Sequence, residues 1–134
     1  MRLTRLPDWR ARLARYLDAC ARLPYAPGTH DCALFAAGAV AAQTGIDFAR
    51  AFRGAYASVA EGEALLGAGI AAHAASILPA RPGVLAAVEG DVAVIAPPKG
   101  PEVLGVVAGA HILVLRPRGL GRVGLADAAR VLAV

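Results

Sequence analysis

Cysteine is scarce in this sequence, and that scarcity excludes two architectures together. Only Cys20 and Cys32 occur among 134 residues, which leaves neither a disulfide framework nor a C-x-x-C metal pair. No grouping of His, Cys and Asp has metal-ligand spacing, so neither a metal nor any other cofactor is expected. Long apolar runs are missing too. Residues 33–42 and 103–115 are too short, or too broken by Gly, His and Gln, for a bilayer crossing of about 20 residues. The N-terminus is arginine-rich and lacks the continuous apolar segment of a secretory signal, so synthesis in a reducing cytoplasm is the expectation. An Arg-rich start can mimic an organelle transit peptide, but Pro7-Asp8-Trp9 reads as the cap of a folded helix. Aromatic residues make up only 5% of the chain and are not interleaved with basic ones, as they are in single-strand binders.

The charge balance is modestly basic. Fourteen basic residues against ten acidic give a net +4, and the excess is spread out. Arg2, Arg5, Arg10, Arg12, Arg15 and Arg22 fall in the first helical region, where a solvated helix face accounts for them. Nucleic acid is therefore not expected as a partner. The chain is 57% hydrophobic and 18% charged, a composition that folds, and its length suits one domain spanning 1–134 with a modest core.

Local signals divide that domain into a mainly helical half, 1–78, and a mainly strand half, 79–134. Asp8 is placed to cap a helix running to Leu23, with Trp9, Leu13, Tyr16, Leu17 and Cys20 on one buried face. Pro24 ends it. A second helix is expected from Asp31 to Thr44, stopped by Gly45, and its run of Ala36-Ala37-Gly38-Ala39 permits very close packing. Ser58-Val59-Ala60-Glu61 is a capping box opening a short helix through Leu66, broken by Gly67 and Gly69. Another short helix, 70–78, carries His73. Strands are expected at 88–95, 103–108 and 111–115, with a tight turn at Gly109-Ala110. A strand at 121–125, a helical turn at 126–130 and a last strand follow. Helices first and an antiparallel sheet afterwards is the α+β class.

The stretch 23–35 organises the rest. It is a Pro/Gly-punctuated loop running into the alanine-rich helix, with Cys32 at the junction. A thiol there feels the unsatisfied N–H groups and positive dipole end of the helix, which favour thiolate. A small hydrophobe at a helix start is the alternative reading of the same residue.

A loop with Tyr25 and Gly28, Asp31-Cys32 opening a buried helix, then Gly90-Asp91-Val92 and Leu104-Gly105-Val106-Val107-Ala108-Gly109, resembles the NlpC/p60 cysteine peptidases. More narrowly, the sequence is similar to a small alanine-rich branch of that superfamily found in phage and prophage tail gene clusters. The resemblance covers residues 24–115. It implies a papain-like NlpC-type fold, with N-terminal helices packed on a small antiparallel C-terminal sheet. It also implies that Cys32 is the nucleophile, that Asp31 contributes to substrate binding, and that Tyr25 is an active-site tyrosine. Ala33 stands where the family usually has Ser, and Val103 stands where the family opens its strand with the catalytic His.

Valine can neither hold a thiolate nor protonate a leaving amine, and losing such a group forfeits about 10²–10⁴ in rate. Three histidines remain. His111 begins the strand after the family's histidine strand and is either the base or a half-buried sheet histidine. His30, two residues before Cys32, either lines the cleft or hydrogen-bonds its own loop. His73 reads as a surface or core histidine, and Asp91 as a turn residue that bonds backbone N–H groups. The resemblance thus implies a component of a phage virion or phage-like tail particle, made in the bacterial cytoplasm, with other tail or baseplate proteins as partners. Its activity is either thiol cleavage of peptidoglycan stem peptides or, with the base lost, assembly alone.

Overall fold

Asp31 and Gly45 bracket the helix on which everything else is packed. In the computed structural model, which describes residues 3–66 and 69–134, helices precede strands. The helices are α1 (Trp9–Cys20), α2 (Cys32–Thr44), α3 (Val59–Leu66) and α4 (Ile70–Ala75). The strands are β1 (Val92–Ile95), β2 (Val103–Ala108), β3 (His111–Arg116), β4 (Gly119–Gly124) and β5 (Arg130–Leu132). They form one antiparallel sheet in the order β4-β3-β2-β1-β5. The α+β expectation holds at that level.

The start of α2 is fixed by Asp31, whose carboxylate accepts the Leu34 N–H at 3.0 Å. Its end is fixed by Gly45, left-handed at φ 80°, whose N–H donates to Ala41 O at 2.8 Å. Between them most side chains are buried. Small residues let α1 come close: a Cβ on Gly38 would overlap the Tyr16 hydroxyl, which donates to Phe35 O at 2.8 Å. The Trp9, Leu13, Tyr16, Leu17 and Cys20 stripe meets Phe35, Ala39 and Val106 there, as its periodicity predicts.

α2 and α4 cover one face of the sheet through Ala36, Val40, Ala71 and Ala74, packed on Val92, Val94 and Leu104. The opposite face, with Val107, Ile112, Val114 and Val131, is closed by two single-turn helices at Val84–Ala86 and Leu125–Asp127 and the residues beside them. β2 is therefore walled on both sides, which is why it reads as a continuous apolar run.

Several boundaries differ from expectation, each for a local reason. α1 stops at Cys20 because the chain tightens into a turn, the Leu23 N–H donating to Cys20 O at 3.1 Å. Asp8 precedes it but makes no side-chain cap; its carboxylate accepts Arg12 Nε at 2.8 Å instead. α4 stops at Ala75, after which the Ile77 and Leu78 N–H groups both turn back to Ala74 O. β1 starts at Val92 because residues 88–91 form a turn closed by Asp91. Gly67, expected to break α3, and Arg2 lie outside the described residues.

Asp91 is the polar counterpart of the apolar core. Fully buried, it accepts Arg81 Nε at 2.8 Å, the Val88 N–H at 2.8 Å, the Val134 N–H at 3.1 Å and a longer Arg5 contact at 3.5 Å. It ties distant parts of the chain together, which is the structural role expected of it. Among the described residues no helix is long and apolar enough to cross a membrane.

Candidate functional site

A cleft of about 500 Å³ opens at the start of α2, with Cys32 in its wall. The loop before the helix builds one side of it. Residues 26–30 close on themselves, the Ala26 N–H donating to His30 O at 2.8 Å and the His30 N–H to Ala26 O at 2.7 Å. Gly28 permits that closure. Its φ of +79° suits glycine, and a Cβ there would overlap the backbone oxygen of Tyr56. Tyr56 is thereby brought against Asp31, and its hydroxyl donates to Asp31 Oδ2.

Asp31 lines the cleft, yet its carboxylate is already occupied. One oxygen takes the Leu34 N–H, and the other takes the Gly28 N–H at 3.0 Å together with the Tyr56 hydroxyl. Those bonds hold loop, helix and Tyr56 together. Burial pushes the Tyr56 phenol upward, and so does its bond to the Asp31 carboxylate. Tyr25 stands exposed at the rim, its phenol raised by burial and by the neighbouring Asp31 and Cys32.

At Cys32 burial opposes the effect of the helix start. Burial pushes its thiol above the usual range, and the Asp31 charge acts in the same direction. The backbone N–H groups of Leu104, Ala33 and Cys32 itself pull the other way without overcoming burial. The resting form is therefore the thiol. In the same cleft stands Val103, the first residue of β2. Cys32 and this strand start thus share the cleft, and the side chain that the strand presents there is aliphatic.

None of the three histidines lines the cleft. His111, exposed, pairs with Ala108 and Gly124 at the end of β2 remote from Val103. Five steps along the strand separate the two ends, roughly 16 Å. His30 is near in sequence but packs edge-on against Phe35, with ring centroids 6.3 Å apart. It is buried, and its Nε2 has no partner among the described residues. Burial lowers its basicity, with Asp31 opposing and Arg53 reinforcing that shift. His73 packs against Phe48 and Phe52, with Nε2 3.5 Å from Phe48 O.

Sequence reasoning missed Tyr56, Glu63 and Glu102, all of which line the cleft. Tyr56 lies in an irregular connection with no pattern to mark it, and reaches Asp31 only through the Gly28 turn. Glu102 is held by Arg130 at 3.1 and 3.3 Å, a pairing across 28 positions that no local signal reveals.

Chemically, the site offers the Cys32 thiol, two phenols and the carboxylates of Asp31, Glu63 and Glu102 in an otherwise largely apolar wall. Among the described residues it presents no imidazole to take the thiol proton or return it to a leaving amine. No curated protein and no solved structure matches the chain. Residues 4–134 match the model of a family described as a domain of unknown function, DUF6950, and the chain belongs to that family.

Proposed function

We propose that this chain is a papain-like NlpC-type module that retains the cysteine cleft without the acid–base partner, and that it acts by binding. In the setting implied by its resemblance, it is an assembly component of a phage or phage-like tail particle, contacting other tail or baseplate proteins. The observation that carries this reading is Val103, which lines the Cys32 cleft at the start of β2, the position where the resemblance implies a histidine. The raised thiol of Cys32 supports it independently.

A second reading, thiol cleavage of peptidoglycan stem peptides, draws on the placement of Cys32 at the start of α2 in an open cleft with Tyr25 and Tyr56. Alkylation of Cys32 against pH, in a Cys20→Ser background, separates the two. Under the binding reading the apparent pKa lies above the free-thiol value of about 8.5, and His30→Ala and His111→Ala leave it unchanged. Val103→His is expected to lower it by supplying the absent ring. Release of peptides from peptidoglycan by the wild-type chain, abolished in Cys32→Ala, would overturn the binding reading and establish the peptidase.

A further inference from the structure

The two edges of the sheet are treated differently. Beyond β5 the segment around Ala80 pairs with it: the Arg81 N–H donates to Val131 O at 2.8 Å and the Ala133 N–H to Pro79 O at 2.7 Å. Beyond β4 no strand is paired among the described residues. An antiparallel edge strand holds the N–H and C=O of every second residue outward, ready to pair with another chain. β4 contains no proline that would blunt it.

Beside that edge runs a groove between α1 and the sheet. Leu17, Leu113 and Leu120 contribute its apolar part, and Arg15 and Arg122 line it with a single carboxylate, Asp18. Arg122 pairs in register with Leu113, which packs toward α1, so Arg122 lies on the groove face. On the other face Arg116 lies across Gly121, where a Cβ would overlap its Nε. Gly119 packs against the Ala21 carbonyl, which brings the 117–118 turn to the end of α1, next to Arg22. Arg15, Arg22, Arg116, Arg118 and Arg122 are all exposed, and none forms an ion pair among the described residues.

We propose that the β4 edge and its groove dock an acidic, extended peptide segment of a partner protein, which adds a strand to the sheet. Each feature selects that occupant. Free backbone groups call for a polypeptide strand, and the unpaired guanidiniums of Arg15 and Arg122 on the groove face call for carboxylates on every second residue, projecting to that face. A second copy of this chain is disfavoured, because edge-to-edge pairing would set arginines against arginines. Single-stranded nucleic acid has no strand ladder to offer and stacks on aromatic platforms, whereas this groove is lined by leucines. The surface shares no lining residue with the Cys32 cleft, so the proposal stands whatever Cys32 does.

The test titrates the full chain into a labelled, capped octapeptide of alternating valine and glutamate, read by fluorescence anisotropy. Its analogue with alternate backbone amides N-methylated, the valine–lysine octapeptide and a thymidine octanucleotide are titrated alongside. Amide exchange of residues 119–124 is the structural readout. The expected result is micromolar binding of the acidic peptide alone, weakened by salt, with slowed exchange along β4. Arg122→Glu on the edge and Arg15→Glu on α1, both at exposed positions, should each weaken it about tenfold or more. The proposal is overturned if the acidic peptide does not bind, if the lysine peptide binds as well, or if N-methylation leaves binding intact. Tighter binding of the oligonucleotide with the same arginine dependence, or self-association through residues 119–124, would also overturn it.

Discussion

Replacing Gly28 by alanine should damage the fold and the cleft together, by an amount set by the loop's own contacts. A left-handed conformation costs a side-chain-bearing residue about 1–2 kcal/mol. The added methyl would also overlap Tyr56 O, a backbone atom that cannot rotate aside. The loop must therefore open. Opening strains the Gly54 N–H to Gly28 O bond at 2.8 Å and the Gly28 N–H to Asp31 bond at 3.0 Å, each worth about 0.5–1.5 kcal/mol. Together the loss is about 2–5 kcal/mol, which for a domain of this size lowers Tm by roughly 7–18 °C. Thermal unfolding followed by circular dichroism measures it. Cys32 alkylation should accelerate in the variant, since the Tyr56–Asp31 contact that braces the cleft is released. A fall in Tm under about 3 °C with unchanged alkylation would refute this reasoning, because the loop would then tolerate a Cβ at that position.

Asp91→Ala leaves the Arg81 guanidinium and the Val88 and Val134 N–H groups facing a void, and is expected to cost about 3–5 kcal/mol in urea unfolding. Gly38→Ala forces a methyl against Tyr16 Oη and should cost about 1–3 kcal/mol. Most of that penalty should vanish in a Tyr16→Ala background, as a double-mutant cycle would read. His30 has its basicity lowered by burial, so the unfolded chain takes up that proton first as pH falls below about 6.5. Its contribution to stability should be flat above that value and decline below it, and His30→Phe should remove that part of the decline in urea titrations at successive pH values.

Local chemistry made some elements readable from the sequence, and long-range chemistry hid others. The limits of α2 were legible because both signals lie at its own ends, Asp31 at the start and Gly45 at the finish. The capping box of α3 was legible for the same reason: Ser58 Oγ accepts the Glu61 N–H at 3.1 Å. The β2–β3 hairpin followed from two apolar runs around Gly109-Ala110. The start of β1 was not legible, because the turn before it is held by Asp91, whose other partners are Arg5, Arg81 and Val134. The cleft divided in the same way. Cys32 and Asp31 were marked by their neighbours, but Tyr56 meets Asp31 across 25 positions. His111 is close in sequence to the strand that carries Val103, yet antiparallel pairing carries it to the far end.

The order of strands sets a hazard for the incompletely folded chain. β1, β2, β3 and β4 pair as neighbours in sequence, whereas the second flank of β1 is covered only by the distant residues of β5, Leu132 pairing with Val92. Without that pairing Val92-Ala93-Val94-Ile95 is an uncovered apolar edge, the kind of segment that seeds association between incompletely folded chains. Pairing of β5 closes that flank and leaves β4 as the open edge of the sheet.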